Sequence, residues 1–95
     1  MYKLKITDKA EAEYQEAYWF YEDKQLGLGV RYEVEIEKLI HLLLKRPHLF
    51  SRKYKHFREA LVKHFPYFIV YEIIIDTVVI HSFFHTSRNP KKKHK

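Results

Sequence analysis

The 95-residue sequence contains no cysteine, two glycines and three prolines. Without cysteine, neither disulfides nor thiolate zinc sites can hold a small fold together, which suits a reducing compartment. Both glycines fall in Leu26-Gly27-Leu28-Gly29, so regular elements with short connections are expected elsewhere. No Gly-rich phosphate loop, paired catalytic carboxylates or serine triad is visible, and no cofactor or metal is expected. A clean membrane span is missing as well. The stretch HFPYFIVYEIIIDTVVIHSFF, residues 64–84, is apolar and aromatic, but Glu72 and Asp76 interrupt it. Each would cost roughly 2.5–3.5 kcal/mol near the centre of a helix in lipid. Its Ile, Val, Phe and Tyr favour pleated strands instead. The opening MYKLKITDKAEAEY has no apolar core or small-residue cleavage site of a secretory leader, so a cytoplasmic location is expected.

What is present is charge, unevenly divided. The net charge is +6. Residues 1–44 carry 6 Lys/Arg against 9 Asp/Glu, a net −3, while residues 45–95 carry 12 against 3, a net +9. A basic half points to an anionic partner, either nucleic acid or an acidic protein segment.

The length fits one domain, residues 1–95, with residues 88–95 a basic tail. Tyr2 to Ile6 alternates apolar and lysine residues as a strand does. Thr7-Asp8 starts a helix, with Asp8 and Glu11 at capping-box spacing. Ala10, Tyr14, Ala17, Tyr18 and Tyr21 then recur at helical spacing to about Lys24. Gly27 and Gly29 break that helix. A second helix, 28–45, carries the stripe Tyr32, Ile36, Leu39, Ile40, Leu43 and ends at Pro47. Strands over 57–62, 67–75 and 78–84 follow as an antiparallel meander, with Pro66 at a strand start and a tight turn at Asp76-Thr77. The expected fold is α+β, a two-layer β-α-α-β-β-β with an antiparallel sheet covered on one face by a helical hairpin. Glu72 marks the even face of its strand as the less covered one.

Three features could carry chemistry. In RKYKHFR, residues 52–58, an extended chain would aim Arg52, Tyr54, His56 and Arg58 one way and Lys53 and Lys55 the other. That mixture suits a phosphate backbone with stacked bases, or equally a solvated loop. His81 and His85 share a strand and are expected to point the same way, with Phe83 between them. Their separation of about 13 Å is too long for one metal. A single histidine near an arginine could act as acid or base, or serve as a partner contact. In the tail HTSRNPKKKHK, Arg88 could reach over the sheet and grip a phosphate or carboxylate, while the lysines add charge without geometry.

Arg58 leading a strand, FPYFIVY (65–71), and an Ile/Val-rich strand closing in HTSRNP (85–90) together resemble the RelE/ParE superfamily of bacterial toxins. With the helical hairpin, the resemblance spans nearly the whole chain. It implies the toxin of a type II toxin–antitoxin pair, a plasmid-stabilisation-type protein, whose partner is a small acidic antitoxin. RelE-like members cut messenger RNA in the ribosome's decoding site, using basic residues on the sheet. ParE-like members poison DNA gyrase through protein contacts. Phe68 stands where the ribonucleases commonly carry an arginine, and loss of one such donor costs about 100- to 1,000-fold in rate. The resemblance therefore implies the ParE-like branch, acting on gyrase and not as an enzyme. The alternative is a ribosome-dependent mRNA endoribonuclease with His85, Arg58 and Arg88 as its catalytic set. Arg52, Lys55, Arg58, His81, His85 and Arg88 are the expected contact residues.

Overall fold

The computed structural model describes residues 1–87, and the expected basic tail with Arg88 lies outside them. The elements are β1 (Lys3–Ile6), α1 (Asp8–Lys24), α2 (Leu28–Lys45), β2 (Arg52–Tyr54), β3 (Phe57–Leu61), β4 (Tyr67–Ile74) and β5 (Thr77–His85). The strands form one sheet in the order β1-β5-β4-β3-β2. The core lies between one face of this sheet and the two helices, joining Tyr32, Ile36 and Leu43 of α2 to Ile69, Tyr71, Val78 and Ile80. The two-layer α+β arrangement is thus as expected.

Two details differ, and they share one cause. The run RKYKHFR is not a single extended segment: β2 and β3 form a hairpin across the turn at Lys55 and His56. The sheet is also mixed, because β1 pairs with β5 in parallel, from Lys3↔Thr77 to Ile6↔Ile80. The extra strand adds one more chain reversal between β1 and β5. An even number of reversals leaves two strands parallel, whereas the meander expected from the sequence would have left them antiparallel.

Local chemistry sets the helix ends. The α1 cap is Thr7, one residue earlier than the expected Asp8, because the Thr7 hydroxyl accepts from the Ala10 N–H at 3.2 Å. Asp8 and Glu11 instead place negative charge in the first turn, where the dipole favours it. Gly27 caps α2 at φ 89, a left-handed conformation that glycine adopts without strain. Having no side chain, it leaves the first N–H groups of α2 unserved. The Glu22 carboxylate serves them from α1, accepting from Gly27 and Gly29 N–H at 2.9 Å each. Gly29 must be small, since a Cβ there would lie 2.8 Å from the Tyr18 carbonyl oxygen.

The link from α2 to β2 is tied to the sheet from below. Buried Tyr71 donates its hydroxyl to the Pro47 carbonyl at 2.7 Å. Burial pushes the Tyr71 pKa up to about 12, with the Arg58 charge pulling weakly the other way. Burial also raises Tyr32, and raises Tyr14 with help from the neighbouring Glu33 carboxylate.

Glu22→Ala should cost roughly 0.5–2 kcal/mol, the usual worth of a helix cap, as read by urea denaturation; an unchanged midpoint would show that water serves those N–H groups equally well. Alkaline pH tests the tyrosines. A tyrosine with a raised folded pKa contributes stability that is complete below its unfolded value of 10.0 and lost as pH climbs towards the folded one. Stability should fall by about 1.4 kcal/mol per pH unit for each such tyrosine above that value. A flat profile there would contradict the burial assigned to them.

Candidate functional site

Strands β4 and β5 pair as Val70↔Ser82 and then Tyr71↔Ile80, so His81 has no opposite residue and forms a bulge. An extra residue reverses the alternation of everything beyond it. Val78 and Ile80 face the helices before the bulge, and Phe83 faces them after it. Helix α1 holds this irregularity from both sides. Thr7 donates its N–H to the Ile80 carbonyl at 3.0 Å and its hydroxyl to the His81 carbonyl at 3.3 Å. Glu13 accepts from the Ser82 hydroxyl at 2.8 Å and the Phe83 N–H at 3.2 Å.

The consequence is that His81 and His85 do not point the same way, contrary to the strand-period expectation. His81 lies on the face away from the helices, its ring 5.3 Å from Phe57. His85 lies on the helix side, its ring 5.1 Å from core residue Tyr67. The His85 Nδ1 accepts from the Ser87 N–H at 3.1 Å, so a neutral ring there carries its proton on Nε2. His85 also lines a cavity of about 150 Å³ with Glu13, Glu16, Tyr67, Phe83 and Phe84.

On the outer face the bulge assembles a cluster that the sequence did not announce. One oxygen of Glu72 meets His81 Nε2 at 2.9 Å, and the other meets His56 Nε2 at 2.7 Å. A carboxylate oxygen only accepts, so each imidazole presents an N–H from Nε2. The Glu72 side chain is 15% exposed, so both hydrogen bonds form where water competes weakly. Further along the same face, Leu61, Phe68 and Phe84 lie side by side on adjacent strands, and Leu61 is 59% exposed. One end of this face is therefore imidazole and carboxylate, and the other is apolar. Among the described residues no group of His, Cys, Asp or Glu side chains is arranged to hold a metal ion.

The remaining expected site residues are dispersed. Arg58 opposes Tyr71 and donates to the Phe50 carbonyl at 2.6 Å, on the helix side of β3. Tyr71 is four positions from Tyr67, the partner of His85, a spacing of about 13 Å along a strand. Arg58 and His85 therefore do not meet. Arg52 and Lys55 are exposed on the β2–β3 hairpin, and Arg88 lies outside the described residues. The structure joins His81 to His56 and Glu72 instead. The one signal for this in the sequence was Glu72 itself, since a carboxylate inside an apolar strand needs partners from neighbouring strands.

The sequence profile of the ParE toxins of type II toxin–antitoxin systems, parDE, matches residues 4–90. The chain belongs to that family. It is a toxin of a type II toxin–antitoxin system. No curated protein is a recognisable sequence relative of this ParE-family toxin. Among solved structures, a chromosomal ParDE system from P. aeruginosa superposes with a TM-score of 0.74 at 17% identity, covering 90% of this chain and 96% of that one. The intact E. coli RelBE toxin–antitoxin complex gives a TM-score of 0.64 at 20% identity, covering 93% and 100%. The isolated E. coli RelE toxin gives 0.64 at 20% identity, covering 96% and 90%. At such identities these likenesses speak to the fold alone.

In this ParE-family toxin, Arg58 is a bracket between β3 and the loop before β2. Arg58→Ala should lower stability by about 1–3 kcal/mol, because it strips the Phe50 carbonyl of a charged donor. An arginine held free for a ligand would leave urea stability within about 0.5 kcal/mol of the parent on truncation.

Proposed function

We propose that this toxin acts as ParE-like members do, inhibiting DNA gyrase through protein contacts, and that a small acidic antitoxin neutralises it. The observation that carries the reading is the apolar end of the outer sheet face, where exposed Leu61 stands beside half-buried Phe68, with Phe84 buried next to them. Such a surface suits a protein partner and offers nothing to a phosphate. The match to the ParE family points the same way. Arg58, engaged by the Phe50 carbonyl, is a poor candidate for a phosphate clamp. The antitoxin reading draws on the structural neighbours, a chromosomal ParDE toxin–antitoxin system and a RelBE toxin–antitoxin complex. It draws also on Trp19, Phe20, Val30 and Val34, which the helical hairpin leaves exposed. An antitoxin segment that orders on binding would cover them. Work in the cytoplasm and a role in plasmid maintenance belong to the same proposal. Among the described residues no helix is long and apolar enough to cross a membrane.

A second reading, ribosome-dependent cleavage of messenger RNA, has one observation in its favour. Glu72 with His81 and His56 is a ready acid–base cluster on the outer face. In that reading His81 and Glu72 take the proton-transfer roles, and His85, on the other face, does not.

The deciding experiment sets purified toxin against gyrase supercoiling of relaxed plasmid, and in parallel against message on translating ribosomes. The gyrase reading expects lost supercoiling or linearised plasmid with intact message, and activity kept in Glu72→Gln. Message cut only when ribosomes are present, with loss of about 100-fold or more in Glu72→Gln and His81→Ala, would replace it with the second reading.

A further inference from the structure

Residues 52–55, β2 and the first turn residue of the β2–β3 hairpin, take no part in the contacts described so far. Ser51 to His56 are exposed without interruption. This ribbon carries Arg52, Lys53 and Lys55, and among the described residues no carboxylate lies within ion-pair distance of any of them. Its turn is tight, with Lys55 at φ 52, in the left-handed region.

Aromatic rings accompany the charges. Tyr54 is 44% exposed and stands directly opposite Phe57, on the outer face of the sheet. The Lys55 ammonium lies 5.3 Å from the centre of the Tyr54 ring. The His56 ring lies 4.6 Å from that of Phe57 and is held in place by Glu72. Glu59 and Glu72 lie on this face of the sheet, and Glu72 is engaged by two imidazoles.

Edge strands often carry lysine to discourage pairing with other chains. That role needs charge alone and no ring beside it. Cations that follow a backbone, interleaved with rings on which bases can stack, are the chemistry of single-strand nucleic-acid binding. A duplex would hide the base faces that such rings require.

We infer that the β2–β3 hairpin binds single-stranded nucleic acid directly, with Arg52, Lys53 and Lys55 on phosphates and Tyr54 stacked on a base. This contact is separate from the toxin's protein target. DNA and RNA single strands share the chemistry, so both are probed. The full-length protein is titrated into fluorescein-labelled oligothymidylate, oligouridylate and a mixed-sequence duplex, each of about 20 nucleotides, longer than common single-strand sites. Neither gyrase nor ribosomes are present, so a failure here leaves the gyrase reading untouched.

At least one single strand should bind more tightly than the duplex. Neutralising three phosphates of a single strand should weaken binding roughly 20-fold between about 50 and 200 mM salt. The R52Q/K53Q/K55Q variant should lose most of that salt dependence. Tyr54→Leu should weaken single-strand binding by about fivefold or more, the lower end of a stacking contact, with the salt slope unchanged. Equal or tighter duplex binding would overturn the proposal, as would a salt slope that survives removal of the three cations. If the triple variant aggregates, Tyr54→Leu decides alone, and unchanged affinity in it overturns the assignment.

Discussion

Strands β4 and β5 pair along nearly their whole length, and the pairing passes over His81 without giving it a partner. Side chains alternate across a strand, so this one unpaired residue sets which way everything beyond it points. It keeps Val78 and Ile80 in the core on one side and Phe83 in the core on the other. It leaves His81 outward, beside Glu72, and turns His85 inward against Tyr67. Helix α1 secures the irregularity with Thr7 before it and Glu13 after it. A regular β5 in phase with Val78 and Ile80 would expose Phe83, and one in phase with Phe83 would bury His81.

The helical layer depends on a similarly local arrangement. Two helices joined by so short a turn leave the N-terminus of the second short of acceptors. Here the acceptor comes from the first helix, through both oxygens of Glu22. The close approach at Gly29 then brings α2 near enough for Tyr32 to reach Tyr14, Tyr21, Phe65 and Tyr67. The core is accordingly rich in tyrosine. The Tyr32 hydroxyl is buried without a hydrogen-bond partner among the described residues. Such a group costs about 1–3 kcal/mol, which four ring contacts worth about 0.5–1.5 kcal/mol each offset.

The outer face joins two chemistries. At one end a carboxylate stands between two imidazoles, and at the other Leu61, Phe68 and Phe84 form an apolar patch. The basic hairpin projects at the margin of the first end. Imidazole–carboxylate, apolar and cationic side chains therefore occupy neighbouring parts of one sheet face.

The class of fold and the position of most elements were legible in the sequence. Helical spacing from Ala10 to Tyr21, the break at Gly27 and Gly29, the stop at Pro47 and the Ile/Val-rich strands all depend on short-range rules. Those rules are readable from neighbours in the chain. The family resemblance was legible in the same way, from contiguous motifs around 65–71 and 85–90. The site was not. His56, Glu72 and His81 come from the β2–β3 turn and from β4 and β5, and their meeting depends on register across a bulge that α1 holds from more than seventy residues away in sequence. Likewise the parallel pairing of β1 with β5 follows from one short added strand, and Arg58 lost its expected freedom to a carbonyl in a loop. Periodicity says which residues share a face only while the strand is regular, and only tertiary structure decides where it ceases to be.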